Sequence, residues 1–185
     1  MHLPLLMAAD TTNVLVLEHE ILPVLTQRRS PRAYANQLVP VDVLHQVFAA
    51  ASSASSCFGE QPWHFLVGTR AGSVEAYDKV LASLAEFNQP WAKAALVLVM
   101  SLARTTFSHD SNPNAWDTHD VGQAVATPAI QGTELGVQIH QMTGFSADKV
   151  RAAFGVPAGY EPVAIFTLGY PGALALVKSL VQRLN

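Results

Sequence analysis

The segment Arg28-Arg29-Ser30-Pro31-Arg32 contains three of the eleven basic residues of this 185-residue chain. A guanidinium group is a permanently charged, planar fork that can bind two phosphate oxygens at once. The segment also supplies a hydroxyl group, and its proline restricts the backbone between the arginines. This composition predicts a site for a strongly anionic group. The alternative is a solvated helix end, where basic residues interact favourably with the helix dipole.

The composition of the whole chain limits the classes of protein to which it can belong. The length is most simply one domain, 1–185, with residues 1–13 as a loose leader. Hydrophobic residues make up 50% of the chain and charged residues only 14%, which is typical of a protein that buries part of its surface in an oligomer. The net charge of −3 provides no general basic field for nucleic acid.

The single cysteine and the short apolar runs exclude further classes. Cys57 alone can form neither an internal disulfide framework nor a four-cysteine zinc site. The longest apolar run, 94–100, is too short to span a bilayer. The apolar N-terminus has no basic leader and is interrupted by Pro4. We therefore expect a cytoplasmic protein that does not contact a membrane.

Periodic apolar residues predict a mixture of helices and strands. Helices are expected at 14–27, 40–51, 73–87, 117–135, 146–154 and 173–184, and strands at 64–68, 94–100 and 162–168. Pro128 should kink the helix at 117–135, and residues 104–116 should form a loop. Strict alternation of strands and helices is absent, which predicts the α+β class.

Five short motifs resemble those of the flavin-dependent nitroreductase family, in the same order and at similar spacing. They are Arg28-Arg29-Ser30-Pro31-Arg32-Ala33-Tyr34, Gln61-Pro62-Trp63-His64-Phe65, Asp120-Val121-Gly122-Gln123-Ala124, Gly144-Phe145 and Leu168-Gly169-Tyr170-Pro171. The likeness covers residues 22–172. It implies a three-layer α/β/α fold around a central, mainly antiparallel sheet, and a homodimer with FMN bound in two pockets at the interface.

The resemblance also implies an activity. Members of the family are FMN-dependent NAD(P)H oxidoreductases that transfer hydride by a ping-pong cycle to nitroaromatics, quinones or similar small electrophiles. A flavin-binding protein without turnover, acting as a carrier or sensor, is the alternative that the sequence leaves open.

The resemblance implies a role for each matched residue of the arginine-rich segment. Arg28, Arg29 and Ser30 would hold the phosphate and ribityl chain of FMN. Arg32 would reach the pyrimidine edge of the ring, and Gln61 would lie near the ring. No catalytic side chain and no metal ion are implied, because the flavin itself transfers the hydride.

Two further segments match parts of the family's flavin site. Ser55, Ser56 and Cys57 match a serine-rich segment that approaches the flavin of the partner chain. The backbone around Thr143 and Gly144 matches the segment whose N–H faces the hydride-accepting nitrogen of the flavin. These matches predict that both segments contact FMN, from different copies of the chain.

The chain departs from the family pattern in two places that concern the site. Gly59 stands where the family usually has an asparagine, which removes one polar contact to the flavin. The chain is also short after its last motif. The family usually continues with a basic segment and an arm around the partner, whereas only Lys178 and Arg183 follow here. Either one of these two residues replaces the missing phosphate ligands, or the affinity for the phosphate is reduced.

Two further groups of residues have no expected role in the site. His109, Asp110, Asp117, His119 and Asp120 are possible metal ligands, but Asp117, His119 and Asp120 cannot share one face of a helix. We therefore expect no metal site. Three aromatic residues lie in segments that often border the substrate pocket in the family: Trp91, Phe107 and Trp116. We expect such residues to pack in the core or an interface more often than to contact the substrate.

Overall fold

A computed structural model describes residues 19–172 and contains one antiparallel sheet. Its four strands are β1 (Trp63–Thr69), β2 (Val97–Arg104), β3 (Gln138–Met142) and β4 (Tyr160–Gly169). They lie in the order β1-β2-β4-β3, and each neighbouring pair is antiparallel. β1 and β3 are thus the two edges of the sheet.

Six α-helices accompany the sheet in the described part of the chain. They are α1 (Pro23–Gln27), α2 (Val41–Ala49), α3 (Val74–Ser83), α4 (Gln89–Ala92), α5 (Asp117–Glu134) and α6 (Ala147–Phe154). Within residues 19–172, none of these helices combines the length and the apolar character needed to cross a membrane.

The side chains of β2 alternate between two separate hydrophobic clusters, as the two-residue period of a strand requires. Leu98 and Met100 pack with residues of α3, α4 and α6, whereas Val97 and Val99 pack with residues of α2 and α5. Helices therefore cover both faces of the sheet. The predicted α+β class, with three layers and an antiparallel sheet, is confirmed.

Most predicted elements are present, but several boundaries differ. The helix predicted at 73–87 ends at Ser83, because Leu84 is extended (φ −65°, ψ 150°) and bridges to Phe145. The strand predicted at 94–100 begins at Val97, because residues 93–95 form the turn that follows α4. Neither α4 nor β3 was predicted. β3 has the sequence QIHQM, whose few apolar residues give no strand signal.

The long helix α5 runs through Pro128, which is buried within it. It contacts α1, α2 and strands β1, β2 and β3, so it forms the centre of one helical layer. The predicted leader 1–13, the predicted helix at 173–184, Lys178 and Arg183 lie outside the described residues.

Candidate functional site

The segment of residues 28–32, here called the arginine segment, follows α1 and runs beside β3. α1 begins with Pro23 in its first turn and ends before Arg28, whose backbone is extended (φ −58°, ψ 129°). The backbone N–H of Arg29 donates to Oε1 of the buried Gln138 at 2.8 Å. Nδ1 of His140 lies 3.0 Å from the carbonyl oxygen of Pro31. Two side chains of β3 therefore hold the arginine segment at the sheet edge.

The end of this segment also joins two motifs that are far apart in the sequence. The N–H of Ala35 donates to the carbonyl oxygen of Tyr170 at 2.9 Å, and the N–H of Gly172 donates to the carbonyl oxygen of Ala33 at 2.9 Å. The hydroxyl group of Tyr34 lies 2.5 Å from Oγ1 of Thr167. The first and last motifs of the sequence thus form one structural unit with β4.

The three arginines of the segment point to different surroundings. The guanidinium of Arg28 donates to Oγ of Ser30 at 3.3 Å. That of Arg29 turns back to the carbonyl oxygens of Thr26 and Arg28, the latter at 3.0 Å. That of Arg32 lies 5.5 Å from the centre of the Trp91 ring. None of the three forms a salt bridge with a carboxylate of residues 19–172.

A cavity of about 310 Å³ lies between the arginine segment, β3 and α5. Its apolar wall comes mainly from α5, and its polar lining comes from the arginine segment and β3. The lining residues are Leu25, Arg28, Ser30, Ala126, Ala129, Ile130, Ile139, His140 and Gln141. The guanidinium of Arg28 and the hydroxyl group of Ser30 therefore line a cavity whose α5 side is apolar.

A chain of contacts connects Arg32 with the turn that follows β3. Nε1 of Trp91 donates to Oδ1 of Asn88 at 3.3 Å, and Nδ2 of Asn88 donates to the carbonyl oxygen of Gly144 at 3.2 Å. An added Cβ at Gly144 would lie 2.8 Å from Nδ2 of Asn88 and 2.9 Å from Cζ of Phe87. A side chain at position 144 would therefore displace these two side-chain ends, because the Thr143–Gly144 turn packs closely against the residues after α3.

His140 is a titratable group that packs against Trp91 in this chain of contacts. Its ring centre lies 4.6 Å from that of Trp91. Burial lowers the pKa of the imidazole, and the positive charge of Arg32 lowers it further, although hydrogen bonding to Pro31 and Ser30 opposes the shift. The carbonyl of Pro31 can only accept, so Nδ1 carries the proton of the neutral ring.

The segment of residues 55–61, here called the serine segment, packs against the first turns of α5. Oγ of Ser55 donates to Oε1 of Gln123 at 2.8 Å, and the N–H of Cys57 donates to Oδ2 of Asp120 at 2.9 Å. Within the segment, the N–H of Gln61 donates to Oγ of Ser56 at 3.0 Å. The segment is thus fixed to the N-terminal end of α5.

The carboxylate of Glu60 holds the serine segment to the loop after β2. Its side chain is only 3% exposed and pairs with the guanidinium of Arg104. It also accepts hydrogen bonds from the N–H of Ser108 at 2.8 Å and from its hydroxyl at 3.1 Å. The neighbouring Phe58 has a positive φ of 54° and is 85% exposed. Its ring contacts that of Phe107, so the two loops share an aromatic surface.

The structure brings the predicted site residues together as two groups rather than one. Arg28, Ser30, Arg32 and the Thr143–Gly144 turn lie around β3, with Arg29 in the same segment but turned away. The serine segment contacts α5 at Asp120 and Gln123, whereas the residues of α5 that line the cavity are Ala126, Ala129 and Ile130. At a rise of about 1.5 Å per residue, Gln123 and Ala126 are roughly 4.5 Å apart along the helix axis, so the two groups meet α5 on successive turns. No hydrogen bond of the described residues joins the two groups.

The five possible metal ligands do not come together. His109 lies near Asp110, with 3.4 Å between Nε2 and Oδ2, and His119 lies near Asp120, with 3.3 Å between Nδ1 and Oδ1. Among residues 19–172, no three histidine, cysteine, aspartate or glutamate side chains are close enough to hold a metal ion.

Sequence reasoning missed three residues of the region around β3. Asn88 was not considered, and Trp91 was assigned to packing. Their spacing of three residues in a helical segment was a usable signal for contact between them. His140 could not have been found in this way, because its neighbours come from three separate segments of the chain.

Comparison with known proteins places this geometry in a family. Residues 25–170 match the family described as the Nitroreductase family. An uncharacterised 15.4 kDa protein of Mycolicibacterium smegmatis is 34% identical over 124 residues, which cover 64% of this chain and 82% of that protein. An Archaeoglobus fulgidus protein, named as a candidate NADH dehydrogenase/NAD(P)H nitroreductase, is 25% identical over 158 residues, or 82% of this chain and 86% of that protein.

A solved structure agrees with the same assignment. The crystal structure of an oxidoreductase containing FMN superposes with a TM-score of 0.83 at 28% identity, and the match covers 95% of this chain and 89% of the other. The family match extends over most of the chain and includes all five of the motifs and both groups of candidate site residues, apart from the last residue of the final motif. This chain belongs to the nitroreductase family.

Proposed function

We propose that this protein is an FMN-dependent NAD(P)H oxidoreductase that transfers hydride by a ping-pong cycle to nitroaromatics, quinones or similar electrophiles. The observation that carries the proposal is the arrangement around β3. Arg28 and Ser30 line a cavity of about 310 Å³, and contacts through Trp91 and Asn88 connect Arg32 with Gly144. Family membership and the FMN-containing structural relative support the same function.

The residues around β3 have the chemistry that FMN requires. The phosphate of FMN needs cationic and hydroxyl donors, and Arg28 and Ser30 supply both at the cavity. Arg28 has no carboxylate partner among the described residues, so its charge is available to an anion. We assign Arg32 to the pyrimidine edge of the ring and the Thr143–Gly144 backbone to its hydride-accepting side. Arg29 would join the phosphate only by leaving the carbonyl oxygens to which it now donates.

When bound, FMN supplies the redox chemistry, taking hydride from NAD(P)H and giving it to the acceptor. The chain contributes binding, orientation and charge. Arg32 would stabilise negative charge at the pyrimidine edge of the bound ring. Two opposite charges about 4 Å apart attract by roughly 4 kcal/mol at an effective dielectric constant of about 20. About 1.4 kcal/mol corresponds to roughly 30 mV for two electrons. Arg32 would therefore raise the reduction potential of the bound flavin by some tens of millivolts, once the hydration lost by the two charges is subtracted from their attraction.

Family membership and the exposed small residues of α5 support a homodimer with FMN at its interface. The serine segment meets α5 at Asp120 and Gln123, one turn before the cavity residue Ala126. We assign its Ser55, Ser56 and Cys57 to the flavin of a second copy and Gln61 to a position near a flavin ring. The exposed positions Gly122 and Ala126 lie on α5, where small side chains permit close approach of another helix. A partner chain would thus complete each site.

The proposal is tested first with the purified full-length protein. We expect a flavin absorption spectrum that survives gel filtration with added FMN, and anaerobic bleaching of that spectrum by NADH or NADPH. Steady-state oxidation of NAD(P)H with menadione or a nitrofuran then measures turnover. A protein that stays colourless after addition of FMN would contradict the proposal. Retained FMN that neither nicotinamide bleaches would identify the non-turnover flavin-binding protein instead.

A pair of variants tests the phosphate assignment. Arg28→Met removes a charge-assisted hydrogen bond of about 1.5–3 kcal/mol, so FMN should bind roughly 10- to 100-fold more weakly in a fluorescence titration. Arg70→Met is the matched control, because Arg70 follows β1 at the opposite edge of the sheet. Equal affinities of the two variants would exclude Arg28 as a phosphate ligand.

A further inference from the structure

We propose that Trp91 is a positioning residue, which fixes the guanidinium of Arg32 relative to the Thr143–Gly144 turn so that both meet FMN as one unit. The inference deepens the proposed function and rests on it. Trp91 contacts the arginine segment directly through Arg32, and it reaches the turn after β3 through Asn88.

The first contact restrains Arg32. This arginine is exposed and has no carboxylate partner within residues 19–172. Its guanidinium carbon lies 5.5 Å from the centre of the Trp91 ring, which is within the range of a cation–π interaction. A long and flexible side chain thus gains a preferred position from a ring that is itself only 7% exposed.

The second contact restrains the backbone that precedes Arg32. Trp91 packs against His140, with 4.6 Å between the ring centres, and His140 is hydrogen bonded to the carbonyl of Pro31 at 3.0 Å. Burial and the charge of Arg32 lower the pKa of His140, so its imidazole is neutral at neutral pH and does not repel the guanidinium strongly. Arg28 is the cation that lines the cavity together with His140.

The third contact reaches the turn after β3. The indole N–H can only donate, so it fixes Oδ1 of Asn88 toward Trp91 and leaves Nδ2 to donate to the carbonyl of Gly144. Asn88 is 6% exposed, which makes a reversed amide costly. The turn is further held by the N–H of Ala85, which donates to the same carbonyl at 2.8 Å. Trp91 therefore connects the cation and the turn through two defined interactions.

The experiment is a double-mutant cycle on the FMN-loaded protein. Trp91→Leu, Arg32→Met and the double variant are compared by FMN dissociation constant and by midpoint potential. Trp91→Leu should weaken FMN binding about three- to fivefold and make the potential more negative, as Arg32→Met does. In the Arg32→Met background, the same change should add less than a twofold effect on affinity and no further shift in potential. Arg70→Met, which also removes a guanidinium from above an aromatic ring, should change neither quantity.

The remaining outcomes separate this inference from the proposed function. If Trp91→Leu changed the FMN dissociation constant and the midpoint potential equally in the presence and absence of Arg32, the inference would be overturned and the proposed function would stand. A wild-type protein that binds no FMN would overturn both the inference and the proposed function. Trp91→Phe keeps a ring beside Arg32 and should keep the wild-type potential, even where Trp91→Leu fails to fold. A potential as negative in Trp91→Phe as in Arg32→Met would also overturn the inference.

Discussion

The carboxylate of Glu60 offers a test of the fold that does not depend on any cofactor. Its side chain is 3% exposed, pairs with Arg104 and accepts two hydrogen bonds from Ser108. Nε of Arg104 is also buried and has no hydrogen-bond partner among the described residues. Glu60→Gln preserves the shape of the side chain but removes its charge, so Arg104 would keep a positive charge without a carboxylate beside it.

The expected loss of stability follows from the exposure of the two partners. Removing one partner of a buried ion pair costs roughly 3–5 kcal/mol. Arg104 is 28% exposed, so water screens part of its charge and the expected cost is about 2–3 kcal/mol. For a chain of this length, about 1 kcal/mol shifts Tm by roughly 2–4 °C. Glu60→Gln should therefore lower Tm by about 4–12 °C.

Thermal and urea unfolding, both followed by circular dichroism, measure this effect. Glu75→Gln is the control, because it removes an exposed carboxylate that pairs with Lys79 on the surface of α3, and no measurable change is expected. In a double-mutant cycle with Arg104→Met, the two changes should be non-additive by at least about 1 kcal/mol. A Glu60→Gln protein within about 0.5 kcal/mol of wild type would refute the buried ion pair.

Three further predictions concern the packing space at a buried glycine, the proposed dimer and the dependence of stability on pH. Gly68→Ala should destabilise the protein by about 3 kcal/mol in urea unfolding, because the added Cβ would lie 2.3 Å from the backbone of Tyr77. Gly72→Ala is the control and should be tolerated, because its added Cβ would contact only Oγ1 of Thr69, at 3.6 Å. Gly122→Leu should dissociate the proposed dimer in analytical ultracentrifugation, because a Cβ at this position meets no atom of another part of residues 19–172 within 4 Å and faces outward. An intact dimer would exclude this face as the interface. Because the pKa of His140 is lowered in the folded protein, the unfolded chain binds a proton at His140 more tightly, so the free energy of unfolding falls as pH falls below about 6.5. His140→Gln should reduce this dependence of stability on pH. An unchanged slope of the free energy of unfolding against pH would contradict the role of His140.

The sequence predicted the fold where elements bury a regular apolar face. α5 and β4 have long apolar patterns and were expected within a few residues of their observed bounds. β3 was missed because its five residues acquire their pairing from β4 and not from their own pattern. α4 was missed because four residues show no helical period. Short elements of this kind depend on tertiary contacts that a single sequence does not display.

The candidate site was predictable in its segments but not in its contacts. The resemblance singled out the arginine segment, the serine segment and the Thr143–Gly144 turn. It did not indicate that Trp91 and Asn88 lie between Arg32 and Gly144, or that the carboxylate of Glu60 is buried against Arg104. Such contacts join residues that are distant in the chain, and they depend on side-chain directions that motifs do not specify.

The arginine segment shows why residue type alone does not measure the charge available to a ligand. Three guanidinium groups within five residues suggested a strong anion site. In the structure, Arg29 is occupied with the carbonyl oxygens at the end of α1, and Arg32 lies by Trp91. Arg28 alone of the three lines the cavity, with Ser30 beside it. Phosphate affinity should therefore depend mainly on Arg28, whereas the loss of Arg32 should act mainly on the flavin potential, and this division follows from side-chain direction.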